Sequence, residues 1–322
     1  MSGPAAMSHL LPCVTVAIAT YQRAGLLAET LADLTRQDYP TDRCDLLVID
    51  NNSRDNTREV VATFSHAPHP PRHVLEKQQG ANYARNRALA EARGEIIVYC
   101  DDDIRMQPDW LQSLVQPFVQ DRMGRIGAVA GEVVPVFPDG CPAWVRSFHG
   151  PQAMRSDPGP TAPRQIPMSA NFGFRCGVLR ELGGWDTNVG RMGGRIYGGD
   201  ENGPTRRLRR AGYEIWFVPQ AVVLHQMTAN RTTLAYVRKH AFDSACSRVI
   251  GRVSMDREDG RSPVGYLLAR FVGNLLKAPA FGLLALVTLL CAQTGTAKKS
   301  FVRCWRSCGY LYQIPRSLFG PI

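Results

Sequence analysis

Apolar residues in this chain gather into short β-branched runs separated by segments with helical spacing. Val14-Thr15-Val16-Ala17-Ile18-Ala19 predicts a first buried strand. After a turn at Thr20 to Arg23, the residues Leu26, Leu27, Thr30, Leu31 and Leu34 recur at the three- and four-residue steps of a helix. Leu46-Leu47-Val48-Ile49 predicts a second strand, closed by Asp50-Asn51-Asn52-Ser53. Residues 55–64 predict a helix, 73–76 a third strand and 80–93 another helix, with Ala84, Ala88, Leu89 and Ala92 on one face. Glu95-Ile96-Ile97-Val98-Tyr99-Cys100 then leads into three consecutive carboxylates, Asp101, Asp102 and Asp103. Nearly continuous apolar strands alternating with helices predict a mostly parallel sheet covered on both faces. Ligands of such sheets collect at the carboxyl ends of the strands, so Asp50 and the Asp triad are expected to face one crevice.

Farther along, residues 126–136 predict a strand, and 138–167 a Pro- and Gly-rich stretch of loops. Residues 170–174 predict a strand and 178–182 a helix. The glycine-rich loop 190–199 leads to Asp200-Glu201-Asn202 and a helix over 205–211 that Gly212 caps. Strand-like 215–219 and 221–224 deliver His225. Residues 278–292 carry no charge and are crowded with leucine, yet this run is shorter than the ~20 residues of a spanning helix. Lys298, Lys299, Arg303 and Arg306 follow. Two readings compete: a buried helix of the core, and a membrane-dipping or interfacial helix with cationic flanks. The unbroken apolar run favours the membrane.

Composition narrows the choices. The chain has 322 residues with 44% hydrophobic and 20% charged, enough for one large α/β domain and an appendage rather than disorder. The expected division is a tail over 1–12, an α/β domain over 13–240 with halves 13–110 and 111–240, and a helical region over 241–322. A formal charge of +10 suits anionic partners such as nucleoside diphosphates or an acidic membrane face. Without zinc-finger spacing or an RNA-binding signature, nucleic acid is not an expected partner. Nine irregularly spaced cysteines fit a reducing compartment. Residues 1–10 lack the pattern of a signal peptide, so a cytoplasmic body at the inner face of the cell membrane is expected.

Three adjacent carboxylates repel one another, and their natural partner is a hard divalent cation shared with a substrate's phosphates. The chain contains no phosphate-binding Gly-x-x-x-x-Gly-Lys-Ser/Thr loop, no His-Glu-x-x-His and no Gly-x-Ser-x-Gly. What remains are Asp50, the triad, Asp200-Glu201 and His225, each at the end of a predicted element.

Several segments in order carry a resemblance: 16–23 (VAIATYQR), 48–57 (VIDNNSRDNT), 80–88 (GANYARNRA) and 94–103 (GEIIVYCDDD). GGWD at 183–186, GGDE at 198–201 and RLRRAGY at 207–213 complete the series. On these the chain resembles the family 2 glycosyltransferases of GT-A fold. The resemblance implies a nucleotide-diphosphate-sugar donor, foremost a UDP-sugar, a divalent metal (Mn2+ or Mg2+), inversion at the sugar carbon, and a glycan or lipid-linked acceptor.

Roles follow where positions match. Asp50 would bind the nucleotide base, Thr20 and Tyr21 would line the nucleoside pocket, and Arg85 would approach the base or diphosphate. Asp101 and Asp103 form the Asp-x-Asp motif, the first toward the ribose and the metal, the second on the metal; Asp102 falls in the same donor-binding turn. His225 would join the metal site, with a satisfied strand-end histidine as the bland reading. Asn171, Trp185 and Asp186 are expected to shape the acceptor pocket, and Arg231 to close over the diphosphate.

Leaving-group chemistry points the same way. A glycosidase needs two working carboxylates, whereas a nucleoside diphosphate leaves without a proton, so a transferase needs one base for the acceptor hydroxyl. The family's Glu-Asp order is Asp-Glu here, which makes Glu201 the expected base and Asp200 the runner-up. A nucleotidyltransferase and an inactive membrane-associated scaffold are the competing readings. Thr20-Tyr21-Gln22-Arg23 stands where the first would carry a glycine-rich basic loop.

Overall fold

The computed structural model describes residues 11–150 and 153–319; most of the expected tail over 1–12 therefore lies outside the described residues. The first half runs β1 (Val14–Thr20), α1 (Ala24–Leu34), β2 (Cys44–Asp50), α2 (Thr57–Thr63), β3 (Arg72–Leu75), α3 (Ala81–Glu91), β4 (Ile96–Asp101) and β5 (Ile104–Met106). It continues through α4 (Trp110–Gln120), β6 (Ile126–Val136), α5 (Ala143–Arg146), β7 (Gly159–Pro160), β8 (Asn171–Arg175), α6 (Cys176–Glu181), α7 (Asn202–Arg210) and β9 (Glu214–Gln226). Three long helices follow: α8 (Leu234–Glu258), α9 (Val264–Leu290) and α10 (Thr294–Phe319).

Two compact units divide the chain, one of residues 1–136, 151–185 and 204–226, the other of 137–150, 186–203 and 227–322. The first holds a single sheet ordered β3-β2-β1-β4-β8-β6-β9-β5, with β7 paired to β9. Strands β3, β2, β1 and β4 are parallel. Beyond β4 the sheet is mixed: β8 runs antiparallel to β4 and β6, β6 and β9 are parallel, and β5 returns antiparallel to β9.

The two-residue period of the strands divides the core. Val14, Val16, Ile18, Leu46 and Val48 point to one face, where Leu27, Leu31 and Leu34 of α1 and Trp110 and Leu114 of α4 cover them. Ala17, Leu47, Ile49, Ile97 and Tyr99 point to the other, under Ala84, Ala88 and Leu89 of α3. The two strands expected over 215–224 form one strand, β9, whose register against β6 slips between Val218 and Val222. Pro219 sits in that slip, where its missing N–H removes a ladder bond.

In the second unit, Ala245, Val249 and Val253 of α8, Leu267 of α9, and Tyr310 and Ile314 of α10 form a small core. Most of the apolar run expected over 278–292 belongs to a longer helix that ends at Leu290, continues through Pro279 and reaches back to Val264. Among the described residues it is the one helix long and apolar enough to cross a membrane.

Candidate active site

Strand β1 separates the two acidic ends. Thr20 pairs with Asp50 on β2, and Ala19 pairs with Asp101 on β4. Two strand spacings set Asp50 and Asp101 about 10 Å apart along one sheet edge. All four parallel strands end at this edge, which Asp50 and Asp101 share.

Past Asp101 the chain turns through Asp102 and Asp103 into β5, which pairs with β9 so that Ile104 lies opposite His225. The backbone N–H of Gln226 donates to the Asp103 carbonyl at 2.8 Å. This ladder sets His225 Nε2 3.0 Å from Asp103 Oδ1 and 3.7 Å from Asp101 Oδ2. One donor atom from each of Asp101, Asp103 and His225 lies within 4.8 Å of the others. Two hard oxygens and one imidazole nitrogen suit a divalent cation such as Mn2+, and the buried Asp103 carboxylate supplies one of those oxygens. The strand-end histidine is thus one of a cluster.

Asp102 faces a different set of partners. Its Oδ2 accepts from Thr20 Oγ1 at 2.7 Å, and Arg23 pairs with both Asp102 and Asp103. Burial pushes the Asp102 carboxyl up to about 6, opposed mainly by Arg23 and reinforced by Asp103. Burial also works against the Arg23 charge, yet Asp102 and Asp103 more than offset it and hold the guanidinium above the ordinary arginine range. Arg23 therefore keeps the acidic turn together. Sequence reading gave it no role, because its partners lie about 80 residues away and meet it only when β4 docks beside β1.

Buried Asp50 accepts from the Ser53 N–H at 2.8 Å and faces His73 Nε2 at 3.2 Å. His73 was also missed; it reaches Asp50 through the β2–β3 pairing. Tyr21 is exposed, with its hydroxyl accepting from Gln22 Nε2 at 2.9 Å. Arg85 is enclosed rather than laid on the helix surface: it donates to Asn82 Oδ1 at 2.7 Å and to Ser169 Oγ at 2.8 Å, with its guanidinium 4.8 Å from the Trp185 ring centre.

The residues expected around the acceptor are placed differently. Trp185 is buried against Tyr99 and Phe174, as a core aromatic. Asn171 is wholly enclosed. Its Oδ1 accepts from Trp110 Nε1 at 3.1 Å, and its Nδ2 donates to the carbonyls of Glu132 at 3.1 Å and Ala221 at 2.7 Å. A Cβ at Gly131 would collide with the Asn171 amide and the Ala221 carbonyl, so glycine there makes room for this tie. Asn171→Ala would strand the indole N–H and two carbonyls. A stability loss of about 2–4 kcal/mol in urea unfolding is expected. A loss below about 0.5 kcal/mol would refute the tie.

Asp186, Asp200, Glu201 and Arg231 belong to the second unit. Asp186 accepts from Asn188 N at 2.9 Å and Ser254 Oγ at 3.3 Å. Asp200 is buried and Glu201 half-buried at the start of α7, after Gly199 at φ +82°, a backbone conformation that favours glycine. Arg231 is buried in a 3-10 turn over 229–232.

An α/β sheet whose parallel half ends in carboxylates, continued by an antiparallel return that brings in a histidine, is the architecture of the GT-A glycosyltransferases. A mannosyltransferase from Pyrobaculum calidifontis, solved with GDP-Man and Mn2+, shares this fold with a TM-score of 0.60 at 23% identity, over 96% of this chain and 87% of that one. The pattern of Glycosyl transferase family 2 matches residues 15–183, and the chain belongs to that family. It is similar to glycosyltransferase AglE of Haloferax volcanii, 29% identical over 222 residues, or 68% of each chain. It is also similar to the glucosyl-dolichyl phosphate glucuronosyltransferase of the same organism, 24% identical over 246 residues, 71% of this chain and 74% of that protein. The protein is a glycosyltransferase that uses a nucleotide-sugar donor.

Proposed function

We propose that this enzyme transfers a sugar, with inversion, from a nucleoside-diphosphate donor to a hydroxyl of a lipid-linked or glycan acceptor at the inner face of the cell membrane. The observation that carries the reading is the convergence of Asp101, Asp103 and His225 at the strand edge that also holds Asp50. Asp50 binds the base, with His73 and the Ser53 N–H fixing its two oxygens. Thr20 and Tyr21 flank the nucleoside, and Arg85, held by Asn82, Ser169 and Trp185, answers the negative charge of the donor.

Asp101, Asp103 and His225 hold the divalent ion, Mn2+ being favoured over Mg2+ by the imidazole. When bound, such an ion neutralises charge on the departing diphosphate. Arg23 and Thr20 keep Asp102 from turning toward it, which preserves the spacing of Asp101 and Asp103. Glu201 takes the acceptor proton, Asp200 being the second choice, and Asp186 contributes to the acceptor side. A lipid-linked acceptor is supported by the Haloferax glucuronosyltransferase, whose name specifies glucosyl-dolichyl phosphate. An apolar helix such as α9 suits work at a membrane.

Thermal unfolding with UDP-, GDP- and dTDP-sugars, with and without Mn2+, tests the reading. A donor at a hundred times its Kd should raise the midpoint by about 5 °C, and only when Mn2+ is present. UDP-sugars are expected to do so; the absence of metal-dependent stabilisation by any of the three would reject the assignment.

A further inference from the structure

The exposed side of helix α9 is largely apolar, while two polar side chains are buried on it. Leu276, Leu283 and Leu290 are exposed at 72%, 64% and 78%, and further leucines and valines beside them are exposed as well. Asn274 and Thr288, by contrast, are buried. The Asn274 side-chain amide donates to the Arg270 carbonyl at 2.7 Å, and the Thr288 hydroxyl to the Leu284 carbonyl at 2.7 Å. A helix facing water has the reverse arrangement. The outward face therefore calls for an apolar cover, and the charge around it says of what kind. Beyond Asp259 the sequence carries eight Lys and Arg and no Asp or Glu, so most of the +10 formal charge resides here. Cations bordering an apolar face match an anionic lipid surface rather than another copy of this equally basic segment.

At 27 residues α9 is about 40 Å long, enough to cross a bilayer. Two features oppose crossing. Lys277 is the middle residue of the helix and is exposed, so a crossing would place an ammonium at the bilayer centre. The helix is also not separable from its neighbours. Helix α10 runs back along it, with Gly282 against Cys304 and Arg303 over the Phe281 ring. It carries Lys298, Lys299, Arg303, Arg306 and Arg316. Helix α8 packs against α10 in turn, its Ala245 and Phe242 carbonyl closing on Gly309. Insertion of α9 across the membrane would draw these cations in or strip the helix from its core contacts at Leu267.

We infer that α9 lies in the plane of an anionic bilayer, its leucines among the upper acyl chains and Lys277 reaching back to the headgroups, with α10 and α8 behind it on the same side. This rests on the membrane-face reading above and decides the manner of attachment: a monotopic anchor rather than a span.

The test uses the full chain and two kinds of vesicle, phosphatidylcholine alone and phosphatidylcholine mixed with phosphatidylglycerol. Cys291, exposed in the turn between α9 and α10, is the native reporter. A membrane-impermeant maleimide is added outside the vesicles and read by peptide mass. Flotation with the anionic vesicles, weakened about tenfold by raised salt, together with labelling of Cys291, is expected. Protection of Cys291 until detergent is added would show a crossing and overturn the in-plane anchor while sparing the membrane reading. No flotation with either vesicle would overturn both. Equal, salt-independent flotation would remove the anionic partner. The double substitution Leu276→Glu with Leu283→Glu should cut flotation at least about tenfold and leave donor-induced stabilisation unchanged; undiminished flotation would rule out this face.

Discussion

Asp103→Asn is expected to lower kcat/KM by about a thousandfold. Asp103 is fully buried, with one oxygen 3.0 Å from His225 Nε2 and the other on Arg23. The amide fills the same volume but removes one of two anionic donors from the cluster. Arg23 keeps Asp102, so the turn retains its shape and the protein should stay folded. Mn2+ titration of the variant should show weakened binding alongside the kinetic loss. Activity within about threefold of the parent, with an unchanged Mn2+ requirement, would place the metal elsewhere.

Glu201→Gln is expected to reduce single-turnover transfer by about 10²–10⁴-fold while donor binding stays intact. The glutamine matches the glutamate in length, so a collapse in rate without a change in donor affinity would isolate loss of the proton acceptor. Asp200→Asn is the control. If it abolishes transfer while Glu201→Gln turns over near normally, the base is Asp200 and Glu201 is its neighbour.

Strands β1, β2 and β4 of the parallel half were legible because they are buried on both faces, whereas the edge strand β3 is only partly buried. Val14 to Ala19, Leu46 to Ile49 and Ile96 to Cys100 announce themselves as unbroken apolar runs. The carboxylates that end them were equally plain. Less visible was anything that depends on strand order. Arg23 and His73 are ordinary polar residues in the sequence, and only the placement of β1 between β2 and β4, and of β3 beside β2, gives them carboxylates to meet. Asn171 was placed at the acceptor pocket by the resemblance alone, and in the structure it is buried and ties β6, β9 and α4 together. The long helix α9 was underestimated because Pro279 and Lys277 interrupt its apolar pattern, and helical hydrogen bonding continues past both.

Strand β5 has one sheet partner, and that partner arrives about 120 residues later in the chain. On a ribosome adding roughly 5–20 residues per second, the Asp-x-Asp turn therefore exists for on the order of ten seconds before the strand bearing His225 can be made. Through that interval the nascent chain holds Asp101 and Asp103 without the histidine that completes their cluster. The cluster is closed by the last strand to be synthesised, so a chain that stops before His225 cannot assemble it.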